Sequence, residues 1–140
     1  MKHTYTEEQK ELLLKDLCSR LPHGVKIAMP GLWNREITVE PLNEIFKGDD
    51  DLFRVNGNGH CIEYIKPYLF PLSSMTDEQK QYLKNRFCYD WDGEPYELWK
   101  YQIEIGDADE LIDWFHKNHL DYRGLIPMGL AEDATGLNIY

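Results

Sequence analysis

Between Asp107 and His119 the sequence reads DADELIDWFHKNH, and its apolar residues recur with the period of one helix face. Ala108, Leu111, Ile112 and Phe115 stand at i, i+3, i+4 and i+7, with Trp114 flanking them. An extended chain alternates sides every residue and cannot gather these positions; a helix over 107–119 can. Asp107 supplies an N-cap, and Glu110, three residues on, completes a capping box. Asp109 suits the positive end of the helix dipole, and His116, Lys117 and His119 suit the negative end. Gly124, Pro127 and Gly129 keep the apolar tail Leu125–Leu130 from continuing as a plain helix.

A helix with one apolar face needs a second layer to cover it, and the chain provides the parts. Thr6 and Gln9, then Thr76 and Gln79, repeat one Thr-x-x-Gln cap, in TEEQK and TDEQK. They predict helices over 6–21 and 76–87. Leu13, Leu14, Leu17, Cys18 and Leu21 form the apolar stripe of the first helix, with Cys18 expected as a small buried hydrophobe. Val25, Ile27 and Met29 alternate, as do Trp33, Ile37 and Val39 beyond Pro30-Gly31, the pattern of a hairpin. Pro41 ends the second strand or places it at an edge. Ile45-Phe46 starts another short element. Cys61–Ile65 reads as a strand ended by Pro67, and Pro67–Ser74 as an extended connector. Glu97–Ile105 alternates most cleanly, with Trp99, Tyr101, Ile103 and Ile105 on one side, and is expected at the centre of the sheet. The fold class is therefore α+β: a single domain over 1–140, with about three helices packed on a mainly antiparallel sheet of about four strands.

A chain of 140 residues with 42% hydrophobic content has enough apolar surface for one core. No apolar run reaches the roughly 20 residues that span a bilayer. The N-terminal stretch is polar and lacks the apolar region of a signal peptide. With three cysteines, an odd number, that fits a reducing cytoplasm rather than a disulfide framework. Net charge is −10, and −8 of it falls between residues 88 and 121, where ten acids face only Lys100 and Lys117. Such a balance excludes a phosphate-backbone binder, which needs a basic footprint, and an anionic membrane surface.

Chemical motifs are scarce. Asp49–Asp51 lacks the alternate spacing and the distal glutamate of a calcium loop. Asn56-Gly57 and Asn58-Gly59 are turn dipeptides, with no Gly-Lys-Ser/Thr to make a phosphate loop. Ser73-Ser74 lies in no nucleophile elbow. Asp113, His116 and His119 form the best metal-ligand spacing, with Asp121 nearby. Neighbours three apart share a helix face. Asp113 and His119, however, lie about 240° apart around an ideal helix, so the three cannot all meet one ion.

Three segments, TEEQKELLLKDLCSRLPHGV (6–25), IKPYLFPLSSMTDEQ (65–79) and DYRGLIPMGLA (121–131), resemble a group of small uncharacterised proteins of gut Bacteroidales phages, prophages and mobile elements. The resemblance implies an accessory role in such an element and carries over no activity, catalytic residue or cofactor. Its segments leave out Tyr89–Glu104, where Tyr89, Trp91, Tyr96, Trp99 and Tyr101 are set among acids. Aromatics supply contact area at interfaces, and focused negative charge steers a basic partner. The expectation is binding to a basic host or phage protein through Asp90, Trp91, Asp92, Glu94 and Glu97. The alternative is a small enzyme or a ligand- or metal-binding domain with its site beside helix 107–119.

Overall fold

The computed structural model describes residues 5–30, 36–48, 52–56, 60–61, 65–86 and 105–140. Helix α1 (Glu7–Arg20) is followed by β1 (Lys26–Pro30), β2 (Ile37–Pro41), β3 (Ile45–Lys47), β4 (Phe53–Val55), β5 (His60–Cys61) and β6 (Lys66–Pro71). Then come α2 (Asp77–Arg86), α3 (Ile105–Lys117), β7 (Leu120–Asp121) and β8 (Glu132–Asp133). The class is α+β as expected, with strands that are shorter and more numerous than the sequence suggested.

Both Thr-x-x-Gln caps form. The Thr6 hydroxyl accepts from Gln9 N–H at 3.1 Å and the Gln9 amide oxygen accepts from Thr6 N–H at 2.9 Å. Thr76 and Gln79 repeat the arrangement with the same two distances. Each box satisfies donors that a helix start otherwise leaves open. At α3 the expectation is corrected: the helix begins at Ile105, so Asp107 lies in its first turn and not at its cap. Ile105 is accordingly helical, and the rest of the expected strand, 97–104, lies outside the described residues.

The sheet is organised by β1 and β6. The β1–β2 hairpin is antiparallel, with Ile27 opposite Glu40 and Met29 opposite Thr38. Antiparallel pairing sets β1 against β6, with Ile27 opposite Pro67. β6 also pairs in parallel with β7, through Phe70 and Leu120, and with β8, through Leu69 and Asp133. A smaller antiparallel sheet, β3-β4-β5, carries the chain between the two. The Pro67–Ser74 connector is thus a correction: its first half is the shared strand of the larger sheet. Proline removes one ladder donor, which a strand tolerates near its ends, and Pro67 and Pro71 stand near the start and at the last residue of β6.

Alternation sorts the faces. Ile27, Met29 and Leu69 join Leu13 and Leu17 of α1 in the main core, along with Val55, Leu125 and Leu130. Ala28 and Tyr68 pack with Ala134 and the half-buried Ile139. A second cluster unites Leu72, Leu83, Leu111, Phe115 and Leu120, where α2 and α3 meet the end of the sheet. Turns are set by local chemistry. Asn56, at φ 48°, accepts from the N–H groups of Asn43 and Glu44 and donates to Pro41 O at 2.7 Å, clamping the β2–β3 corner. Asp121 accepts from Leu125 N–H at 2.8 Å and Ile126 N–H at 2.9 Å, with Gly124 beyond the left-handed limit for most residues at φ 75°. These bonds give the Asp121–Ala131 segment its shape. No helix among the described residues is long and apolar enough to cross a membrane.

Replacing Thr6 or Thr76 with Ala should lower stability by about 1 kcal/mol each, and Leu17→Ala by about 2–5 kcal/mol. Urea unfolding followed by circular dichroism checks both, and equal costs for cap and core changes would contradict this assignment.

Candidate functional site

The apolar stripe of α1 is rotated from its expected position. Leu13, Asp16, Leu17 and Arg20 face inward, at i, i+3, i+4 and i+7, while Cys18 is exposed. The reason is electrostatic. The Arg20 Nε–H donates to Asp16 at 2.9 Å, and Arg20 Nη2 donates to Leu120 O at 2.7 Å. Arg123 Nε donates to the other Asp16 oxygen at 3.0 Å. Asp16 and Arg20 are fully buried. Turning them inward satisfies one carboxylate with two guanidinium groups and leaves the thiol outside. Burial still lifts the Asp16 carboxyl above its ordinary range, because desolvation outweighs the pull of the two arginines. Both guanidinium groups also lie near the Tyr122 ring, at 5.4 and 4.8 Å from its centroid.

This cluster reaches the end of α3. His116 Nε2 lies 2.7 Å from the Tyr122 hydroxyl, and its ring is 5.6 Å from that of His23. His23 in turn lies 3.2 Å from Asp113. Burial, reinforced by Arg20, lowers His116 to a pKa of about 4. His119 is also lowered to about 4, chiefly by burial, and its Nδ1 is buried without a hydrogen-bond partner.

The expected metal set does not converge. Asp113 is half exposed and lies 3.1 Å from Lys117 Nζ, whose hydrogen bond holds the carboxyl below its ordinary range. His116 turns into the core toward Tyr122. His119, past the helix end at φ 56°, stacks on Tyr140 with ring centroids 3.7 Å apart. Among the described residues no three His, Cys, Asp or Glu side chains gather as metal ligands. Asp90, Trp91, Asp92, Glu94 and Glu97 lie outside the described residues.

Of the three, His119 lines a cavity of about 360 Å³ between the end of α3 and the start of α2. Phe70 and Leu120 form its sheet side, and the stacked His119 and Tyr140 rings border it. Ser74, Thr76 and Gln79 line it from the α2 side, Lys117 and Asn118 from α3. Tyr140 is fixed by its hydroxyl, which accepts from Lys26 N–H at 2.8 Å and donates to Tyr68 O at 2.7 Å. The bond falls where the β1–β6 register would next set Lys26 against Tyr68.

Sequence reasoning missed Asp16, Arg20, Tyr122, Arg123 and Tyr140. A signal for the first two was present: an acid and a base four apart, on the same helix face as Leu13 and Leu17. The others depend on contacts between distant segments. No protein-family model, no curated protein and no solved structure matches the chain.

Two outcomes follow from this geometry. Asp16→Ala leaves two guanidinium groups without their carboxylate and should cost about 3–5 kcal/mol, whereas joint Asp16→Leu and Arg20→Met should cost much less; urea unfolding of both variants measures the difference. Acidification should also destabilise the fold. His116 and His119 bind protons near pH 6.5 when unfolded and at about 4 when folded. Stability is full above 6.5 and falls down to about 4, by at most about 1.4 kcal/mol per pH unit per proton. Between pH 7 and 5, His116→Gln should reduce the fall; an unchanged pH dependence would place the effect elsewhere.

Proposed function

We propose that this chain is an accessory protein of the phage or mobile-element type that acts by binding a basic host or phage protein through its acidic, aromatic-rich segment, 88–121. The single observation that carries the reading is charge distribution: −8 of a net −10 lies in those residues. Asp109 and Glu110 on α3 are exposed, and Asp113 is half exposed. Glu110 lies 2.6 Å from Arg86, and Asp113 lies near Lys117 and His23, so the carboxylates of α3 are partly balanced within the chain. The reading therefore rests on the residues before α3 in the sequence, where Asp90, Asp92, Glu94 and Glu97 stand among tryptophan and tyrosine. Carboxylates steer a basic partner, and aromatics supply the contact area once it has arrived.

A partner captured from host lysate should bind more weakly as salt rises past the point where the Debye length falls below about 8 Å. Joint replacement of Asp90, Asp92, Glu94 and Glu97 by Asn and Gln should slow association more than it speeds dissociation, because long-range charge acts on encounter. A normally folded variant with the wild-type association rate and salt dependence ends the proposal.

A further inference from the structure

The cavity beside His119 differs in character from the rest of the molecule. The chain carries −10 overall, yet among the described residues no acidic side chain lines this cavity, and Lys117 does. Its hydrogen-bonding groups are also unevenly used. The Gln79 amide oxygen is taken by Thr76 N–H, the Thr76 hydroxyl oxygen by Gln79 N–H, and the Asn118 amide oxygen by Gln79 Nε2 at 3.4 Å. Several donors are unspent, beside the Ser74 Oγ, whose proton goes to Pro71 O, and the unpartnered His119 Nδ1. The Thr76 O–H is uncommitted, the Asn118 amide uses one N–H on Trp114 O, and the Lys117 ammonium has three N–H groups, of which Asp113 engages one. The rest of the lining is Phe70, Leu120 and the stacked His119 and Tyr140 rings, with Phe70 tilted against Tyr140. Spare donors call for an acceptor, and a negatively charged one makes the stronger bonds. A cavity of this volume lies at the small end of the roughly 300–1,000 Å³ range of ligand sites.

We propose that this cavity binds a small free carboxylic acid with a flat aromatic body, its carboxylate meeting Lys117, Thr76 and Asn118 at the exposed rim and its ring lying against Phe70 and the His119–Tyr140 pair. The site uses none of Asp90, Asp92, Glu94 or Glu97, so it stands or falls separately from protein binding through those residues. The arrangement explains why a lysine and a set of unspent donors flank an aromatic hollow on an acidic protein. It assigns the carboxylate to the end of α3 and the ring to the sheet.

The test is a titration of the full chain with benzoate and, separately, with neutral benzamide, followed by amide nitrogen–proton correlation spectra. Benzoate should give saturating shifts confined to residues 70–79, 117–120 and 140, about fivefold or more tighter than benzamide. Lys117→Gln should weaken benzoate about three- to fivefold and leave benzamide unchanged, as expected for a charge at an exposed rim. Ser74→Trp, which fills the cavity from an exposed position, should remove both while circular dichroism stays native. Shifts that are absent, non-saturating or scattered over the surface overturn the site. Equal binding of benzoate and benzamide, or a Lys117→Gln chain that binds benzoate unchanged, overturns the carboxylate assignment. Undiminished binding by the Ser74→Trp chain overturns the location.

Discussion

One buried carboxylate ties the first helix to the last third of the chain. Asp16 receives Arg20 from its own helix and Arg123 from the turn after β7, and Arg20 continues to the Leu120 carbonyl. Burying charge in this way is costly unless the geometry is good and the remaining donors find partners. Here both carboxylate oxygens are used and Arg20 makes two bonds, while its Nη1 is buried without a hydrogen-bond partner. The arrangement fixes the rotation of α1, because no other setting brings Asp16 and Arg20 inward together. That rotation in turn decides which leucines reach the sheet.

β6 is the second constraint. Among the described strands it meets β1, β7 and β8, so the β1–β2 hairpin and the C-terminal tail are held on the same backbone. The cavity beside His119 lies where those contributions meet: Phe70 comes from β6, Leu120 from β7, His119 from the link after α3, and Tyr140 from the tail. Its walls are tied to the sheet by stacking and hydrogen bonds. His119 is clasped by stacking and by its own backbone, whose carbonyl accepts from Phe70 N–H at 2.8 Å, and Tyr140 is pinned through its hydroxyl.

Local chemistry was legible in the sequence, and long-range chemistry was not. The two Thr-x-x-Gln caps were readable because donor and acceptor lie within one turn. The Asn56 turn was readable because asparagine tolerates left-handed backbone. The hairpin followed from alternation. The face of α1 was misread by a modest rotation, since Asp16 and Arg20 count as polar until their partners are known. β6 was hidden by its prolines, which read as a connector. β7 and β8 are two residues each, too short for any periodicity, and take their identity from β6. The candidate cavity shared only His119 with the expected metal set. Stacking on a tyrosine and left-handed backbone, not helical spacing, decided where that histidine went.

The length of these ties has a consequence for how the chain is made. Arg20 waits for a carbonyl 100 positions later, and Tyr68 for a hydroxyl 72 positions later. On a ribosome, α1 and the β1–β2 hairpin emerge long before the groups that satisfy them. Until then Arg20 and Asp16 have only each other, and the bonds from Arg20 to Leu120 and from Arg123 to Asp16 cannot form. The early half of the protein therefore lacks the carbonyl and hydroxyl that complete its native contacts until the downstream residues are made, and one side of β6 waits for β7 and β8.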